Sequence, residues 1–224
     1  GINKIGKNNA KVGETWYFLG AAYYLSGSYD RSLECYQHSL SIMIGALGPT
    51  HSNIAEGYNH LGMVYEETGE YDKALEYKQK YLHIKLKKYS PDHPSIAMSY
   101  LNLGSLFSVK GEMEKATDYS NRSLKIYLNK FGSYHPLVGH NYNNLGRIFL
   151  KKKENRKALQ YYQHALQSLV KGFSDNNIYI NPSLPDMKEI KEGKGKIYSV
   201  LYLLDALEEK AETFYGKWET EYGK

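Results

Sequence analysis

The 224-residue chain holds one cysteine, Cys35. A single thiol excludes a disulfide framework and suits a reducing, cytoplasmic compartment. Proline is scarce: Pro49, Pro91, Pro94, Pro136, Pro182 and Pro185 all fall between or beyond the expected helices. Long helical stretches therefore run without an internal breaker. No apolar run approaches the roughly 20 residues that a membrane-spanning helix needs. The first residues carry no initiator Met and no apolar stretch of the signal-peptide kind. Charge of one sign is not in large excess, since the formal net charge is +5. No basic stripe recurs along the chain, which speaks against a nucleic-acid-binding array. There is no nucleophile with its base, no Gly-rich phosphate loop and no His, Cys or carboxylate set at metal-ligand spacing, so no enzyme activity, cofactor or metal is expected.

What is abundant is periodic. Four Leu-Gly pairs, Leu19-Gly20, Leu61-Gly62, Leu103-Gly104 and Leu145-Gly146, stand 42 residues apart. A fixed period of about 20–50 residues marks a repeat architecture, in which each unit buries its apolar face against its neighbours. An aromatic precedes each glycine by one turn (Trp16, Tyr58, Tyr100, Tyr142), and another follows it (Tyr23, Tyr65, Phe107, Phe149). With the leucine they form one face of a helix. A glycine inside helical sequence costs roughly 1 kcal/mol relative to alanine, so its recurrence predicts a close helix crossing. Gly27, Gly69 and Gly111 then suit a left-handed turn that ends the helix. A second helix follows, with small residues at Ser32, Ala74, Ala116 and Ala158 and apolar positions through Leu40, Leu82, Leu124 and Leu166. Helix pairs are expected over about 10–45, 53–88, 95–130 and 137–171.

These residues resemble the tetratricopeptide repeat (TPR), and the stretches 58–77 and 142–161 carry the resemblance best. The 42-residue period and the inter-repeat segments around His51, Asp92-His93-Pro94 and Tyr134-His135-Pro136 are similar to the kinesin-light-chain-like subclass. The resemblance implies an all-α, right-handed α-solenoid of antiparallel helix pairs. Its four units would be residues 9–50, 51–92, 93–134 and 135–171. Residues 1–8 read as the tail of a preceding repeat, because Ile2-Asn3-Lys4-Ile5-Gly6 matches Leu128-Asn129-Lys130-Phe131-Gly132 in residue type. Residues 172–196, with two prolines and several Gly and Asn, are expected to be irregular, apart from a short strand near 178–180 at most. A lone helix over about 197–219 would follow, carrying Val200, Leu204, Leu207, Ala211, Phe214 and Trp218 at 4-3 spacing. Both ends read as cut from a longer protein. The segment 201–215 also resembles the close of the repeat array in bacterial TPR proteins that continue into a CHAT, caspase-like protease domain.

Several chemical-looking residues have plainer readings. His51, His93 and His135 recur at the period but lie a repeat apart, so helix capping and packing are expected of them rather than metal. Cys35 shares the phase of Tyr77, Tyr119 and Tyr161 and reads as a packing position. In the cluster Lys151, Lys152, Lys153, Arg156 and Lys157, Lys153 stands where the other repeats place their turn glycine.

In TPR proteins the first helices line a concave groove. Carried onto this chain, the resemblance places Tyr17, Phe18, Ala21 and Tyr24 there, then Glu56, Asn59, His60, Met63 and Glu66. It adds Leu101, Asn102, Ser105 and Ser108, and finally His140, Asn143, Asn144, Arg147 and Lys151. Asparagine is a mediocre helix former, yet its amide can pair with the backbone of an extended peptide of any sequence. The groove would be aromatic at repeat one, acidic in the middle and basic at repeat four. A protein or peptide partner, or an adjacent domain of the same chain, is thus expected. Control of an attached CHAT-type protease and nucleic-acid binding remain the alternatives.

Overall fold

The computed structural model describes residues 2–170 and 208–213. Within described residues 2–170 eight helices follow one another: α1 (Ile2–Leu25), α2 (Tyr29–Leu47), α3 (Ser52–Glu67), α4 (Tyr71–Lys88), α5 (Pro94–Val109), α6 (Met113–Phe131), α7 (Pro136–Lys151) and α8 (Asn155–Leu169). No strand occurs among the described residues. Residues 208–213 are helical. The expected irregular insert, the short strand near 178–180 and most of the lone helix fall outside the described residues. The chain divides into two compact units, residues 1–106 and 107–224.

The punctuation of the sequence becomes the turns of the fold. Gly27, Gly69 and Gly111 take φ of +74°, +77° and +83°. The following amide then reaches back over the turn, Ser28 N–H to the Tyr23 carbonyl, Glu70 to Tyr65 and Glu112 to Phe107, which satisfies orphan carbonyls at each helix end. Lys153 adopts φ +60° at the same phase, the one non-glycine at positive φ among the described residues. At the other turn the histidines act as caps. Nδ1 of His51, His93 and His135 accepts from the backbone N–H of Asn53, Ser95 and Leu137 at 3.2, 3.1 and 3.2 Å. The His93 and His135 rings also stack on Tyr89 and Phe131 at centroid distances of 4.2 and 4.1 Å. Pro94 and Pro136 open α5 and α7, where the missing N–H is harmless.

One boundary differs from expectation. Helix α1 begins at Ile2 and passes through Gly6 without a turn. Downstream, the matching glycine is followed by His135 and Pro136, which cap and start a new helix. After Gly6 the chain reads Lys7-Asn8-Asn9-Ala10, with neither a proline nor a histidine cap to impose a break.

In the first unit, Tyr36, Leu40 and Met43 of α2 meet Ile54, Leu61 and Val64 of α3, and α4 completes the core with Ala74, Tyr81 and Ile84. In the second, Val138, Leu145 and Ile148 of α7 and Leu159, Tyr162 and Leu166 of α8 are buried. Three of the Leu-Gly glycines sit at tight crossings. A β-carbon on Gly20 would lie 2.9 Å from the Tyr36 ring, one on Gly62 3.1 Å from Lys78 Cγ, and one on Gly146 2.3 Å from the Tyr162 ring. Tyr36, Lys78 and Tyr162 are at one phase of the repeat, so the identity of that single residue grades the closeness of the crossing.

Candidate functional site

The first-helix faces are built differently in the two units. In the first unit, His60 Nδ1 lies 2.9 Å from the Glu56 carbonyl, a contact that only an Nδ1–H can satisfy. The Tyr17 hydroxyl lies 3.2 Å from Nδ1 and 3.3 Å from Nε2, and in the neutral ring Nε2 is the nitrogen free to accept from it. The Tyr17 ring contacts those of Phe18, Tyr36 and His60 at 5.6, 5.5 and 5.1 Å between centroids. Burial and then the Glu56 charge push the Tyr17 phenol above its ordinary pKa. Two helical turns further along α1, Tyr24 donates to Glu67 at 3.2 Å, and burial with that carboxylate pushes its pKa up to about 12. The α1 and α3 faces are thus joined by paired phenols.

Asn59 lies at the phase of Tyr17. Its amide nitrogen finds only the Met63 sulfur at 3.9 Å, and its buried Oδ1 has no partner. Asn102 and Ser105 are partly exposed on α5. Beside Tyr17 lies a pocket of about 360 Å³ lined by Glu14, Tyr17 and Phe18 of α1, Met43 of α2, and Asn53 and Glu56 of α3. Within it Glu56 is bound by Lys85 of α4 at 2.7 Å.

In the second unit four of the expected groove residues are buried or hold partners within the chain. Asn143 is 2% exposed, so it does not offer its amide on the surface as a groove residue would; its Oδ1 too is buried without a partner. Asn144 donates to Ser120 Oγ at 2.9 Å, and Lys151 donates to the Ser108 carbonyl at 3.2 Å. Both of these link neighbouring helices. Arg147, at the expected basic end of the groove, is paired through Nε with Glu209 at 2.6 Å. Tyr162 donates to the other Glu209 oxygen at 3.3 Å, and the buried Lys210 ammonium reaches Gln163 at 2.6 Å. Residues 208–213 therefore lie on α7 and α8. No pattern in the sequence pointed to Glu209, because the 42-residue phase is interrupted before it.

Part of the basic cluster is engaged within the chain. Lys152 faces Glu114 and Glu154 at 3.7 and 3.6 Å, and Lys157 pairs with Glu154. Cys35 is buried, and burial raises its thiol pKa, the reverse of what a nucleophile needs. Among the described residues no group of His, Cys, Asp and Glu is placed to hold a metal ion, and no helix is long and apolar enough to cross a membrane.

Comparison with solved structures finds the same fold at low identity. The chain is similar to a putative kinesin light chain with nearly identical TPR-like repeats from Podosopora anserina, with TM-score 0.64, 15% identity, and 96% of this chain and 98% of that one covered. It is also similar to BtubC (BKLC) from P. vanneervenii, with TM-score 0.62, 18% identity, and coverage of 96% and 83%. No curated protein sequence matches. The tetratricopeptide repeat family model matches residues 11–87 and 95–169. Because those matches span well over half of the chain, it belongs to the tetratricopeptide repeat family.

Proposed function

We propose that this chain is a non-catalytic protein-interaction module whose first-helix faces hold an extended segment of a partner protein. The observation that carries the reading is Asn59. A buried acceptor without a partner costs about 1–3 kcal/mol, and Leu101 fills the same phase in the next repeat without difficulty, buried at that position. An amide kept where leucine fits is a sacrifice of stability; the Asn59 side chain, unlike that of Asn143, is partly exposed, and turned outward its Oδ1 would accept from a ligand N–H that offsets the loss. Tyr17, His60, Met63, Asn102 and Ser105 extend that face in the first unit. The second unit has its own first-helix face, to which Asn144 and Lys151 contribute exposed atoms, whereas Asn143 is withdrawn and Arg147 is engaged by Glu209. A protein ligand is favoured over nucleic acid because no basic stripe recurs along the chain and, in the one dense cationic cluster, Lys152 and Lys157 are paired with Glu114 and Glu154.

The test is to select binding peptides from a displayed random library and titrate the best of them calorimetrically against the parent chain and Asn59→Leu. The variant is expected to melt higher, since the orphan acceptor is gone, while binding several-fold more weakly. Unchanged affinity for every selected peptide would remove Asn59 from the site.

A further inference from the structure

The period allows two repeats of the first unit to be compared atom for atom. Glu14 of α1 and Glu56 of α3 occupy one phase, and Met43 of α2 and Lys85 of α4 occupy another. In the second repeat the pair is complete: Lys85 Nζ lies 2.7 Å from Glu56 Oε1 and over the Tyr81 ring at 5.0 Å. In the first repeat the same carboxylate position faces a thioether. Met43 is buried and packed against Gly13, and Glu14 is exposed with no ion pair among the described residues. Between them is the pocket of about 360 Å³ bounded by the Tyr17 and Phe18 rings. Its volume falls in the range of small-ligand sites.

We propose that this pocket binds a basic side chain, arginine or lysine, supplied by the partner segment, which takes the place that Lys85 fills internally in the next repeat. Carboxylate and aromatic faces together are the chemistry that recognises a guanidinium or ammonium. Glu14 supplies the free charge, Tyr17 and Phe18 supply ring faces at one wall, and Asn53 offers an amide oxygen. Glu56 has one oxygen committed to Lys85 and contributes the other. The Met43 thioether, polarizable and flexible, lines the floor without competing for the carboxylate. The Phe18 ring, 68% exposed, would be covered by the entering side chain. The proposal rests on the groove reading and adds to it which residue type of the partner is selected.

The test uses the 224-residue chain with ε-methyl-labelled methionine, so that Met43 reports occupancy of the pocket. N-acetyl-arginine methylamide is titrated against N-acetyl-citrulline methylamide, which has the same shape without the charge. A saturable Met43 shift is expected with arginine, with citrulline binding about tenfold more weakly, a difference of about 1.4 kcal/mol. Glu14→Gln should bring the two ligands to similar affinity without altering the melting temperature. Met43→Lys should supply the cation internally; its arginine binding, read on the Tyr17 and Phe18 ring signals, should be abolished. No saturable shift, equal binding of both compounds, or an arginine preference that survives Glu14→Gln would each overturn the proposal. Library peptides that still bind and respond to Asn59→Leu in that event leave the groove standing, whereas loss of both results overturns the groove as well.

Discussion

Alanine at Gly146 and at Gly62 should have opposite consequences, although the two glycines are equivalent in the repeat. On Gly146 the added carbon would lie 2.3, 2.6 and 2.8 Å from three atoms of the Tyr162 ring. That ring is fully buried, and its hydroxyl is tied to Glu209, so it has little room to retreat. Overpacking costs about 1–3 kcal/mol, and contacts this short place the site at the upper end. Replacing glycine inside a helix returns roughly 1 kcal/mol. The net loss is about 2 kcal/mol, a fall of roughly 4–8 °C in melting temperature for a chain of this length. On Gly62 the nearest atom is Lys78 Cγ at 3.1 Å, then the Ala74 carbonyl at 3.4 Å. A lysine stem can shift by a few tenths of an ångström, so Gly62→Ala should be neutral or stabilising by up to about 1 kcal/mol. The larger Gly62→Leu and Gly104→Leu should each cost several kcal/mol, beyond the usual overpacking range of about 1–3 kcal/mol. Thermal melts followed by circular dichroism measure all of these. Ser120 holds the Tyr162 phase in the third repeat, so Tyr162→Ser supplies a background in which the Gly146→Ala penalty should vanish. A Gly146→Ala chain that melts at or above the parent would refute the reasoning.

Lys153→Gly should stabilise by about 0.5–1 kcal/mol, because a left-handed conformation costs a non-glycine residue roughly 1–2 kcal/mol and glycine's extra chain entropy returns only part of that; a denaturant midpoint that falls would contradict it. The His135 cap requires an unprotonated Nδ1, and burial lowers its pKa from the ordinary 6.5. The depressed folded-state value means that its contribution is fully present above about pH 6.5 and is lost as pH falls through the lowered value. Stability measured from pH 7.5 to 5 should drop less steeply in His135→Asn, where the cap no longer titrates. The Lys78 side chain is 5% exposed and bonded to Glu66 at 2.7 Å. Glu66→Ala should therefore cost about 3 kcal/mol by stranding a buried charge, whereas Lys78→Met should be close to neutral; equal losses from the two in urea melts would show that the charge is not the reason.

How much of this was legible depended on whether a feature obeyed the period. The helix pairs, the left-handed turns and the three histidine caps all recur at 42 residues, and single residues announce them. Lys153 was legible for the same reason: it occupies a glycine position and adopts the glycine conformation. Features set by one exceptional neighbour were not. The sequence marks Asn59 and Asn143 at one phase, but does not reveal that Asn143 is withdrawn to 2% exposure. Arg147 reads as a free cation until the fold brings up Glu209, some 62 residues downstream. The uninterrupted α1 could have been anticipated, since the match of residues 2–6 to 128–132 stops short of the His-Pro that makes the later turn. The exchange of Lys85 for Met43 was present in the sequence throughout; it becomes chemistry only when α1 and α3 place Glu14 and Glu56 around one pocket.

The central claim is that ligands meet the first-helix faces. It is tested most directly by mapping amide and methyl chemical-shift changes in the chain on adding a library-selected peptide. The account predicts the largest changes at Tyr17, Asn59, His60, Met63 and Asn102, with the Asn59 side-chain amide moving on saturation. Changes concentrated instead on the outer faces of α2 and α4, around Glu34, Glu76 and Lys80, with Asn59 unmoved, would contradict it.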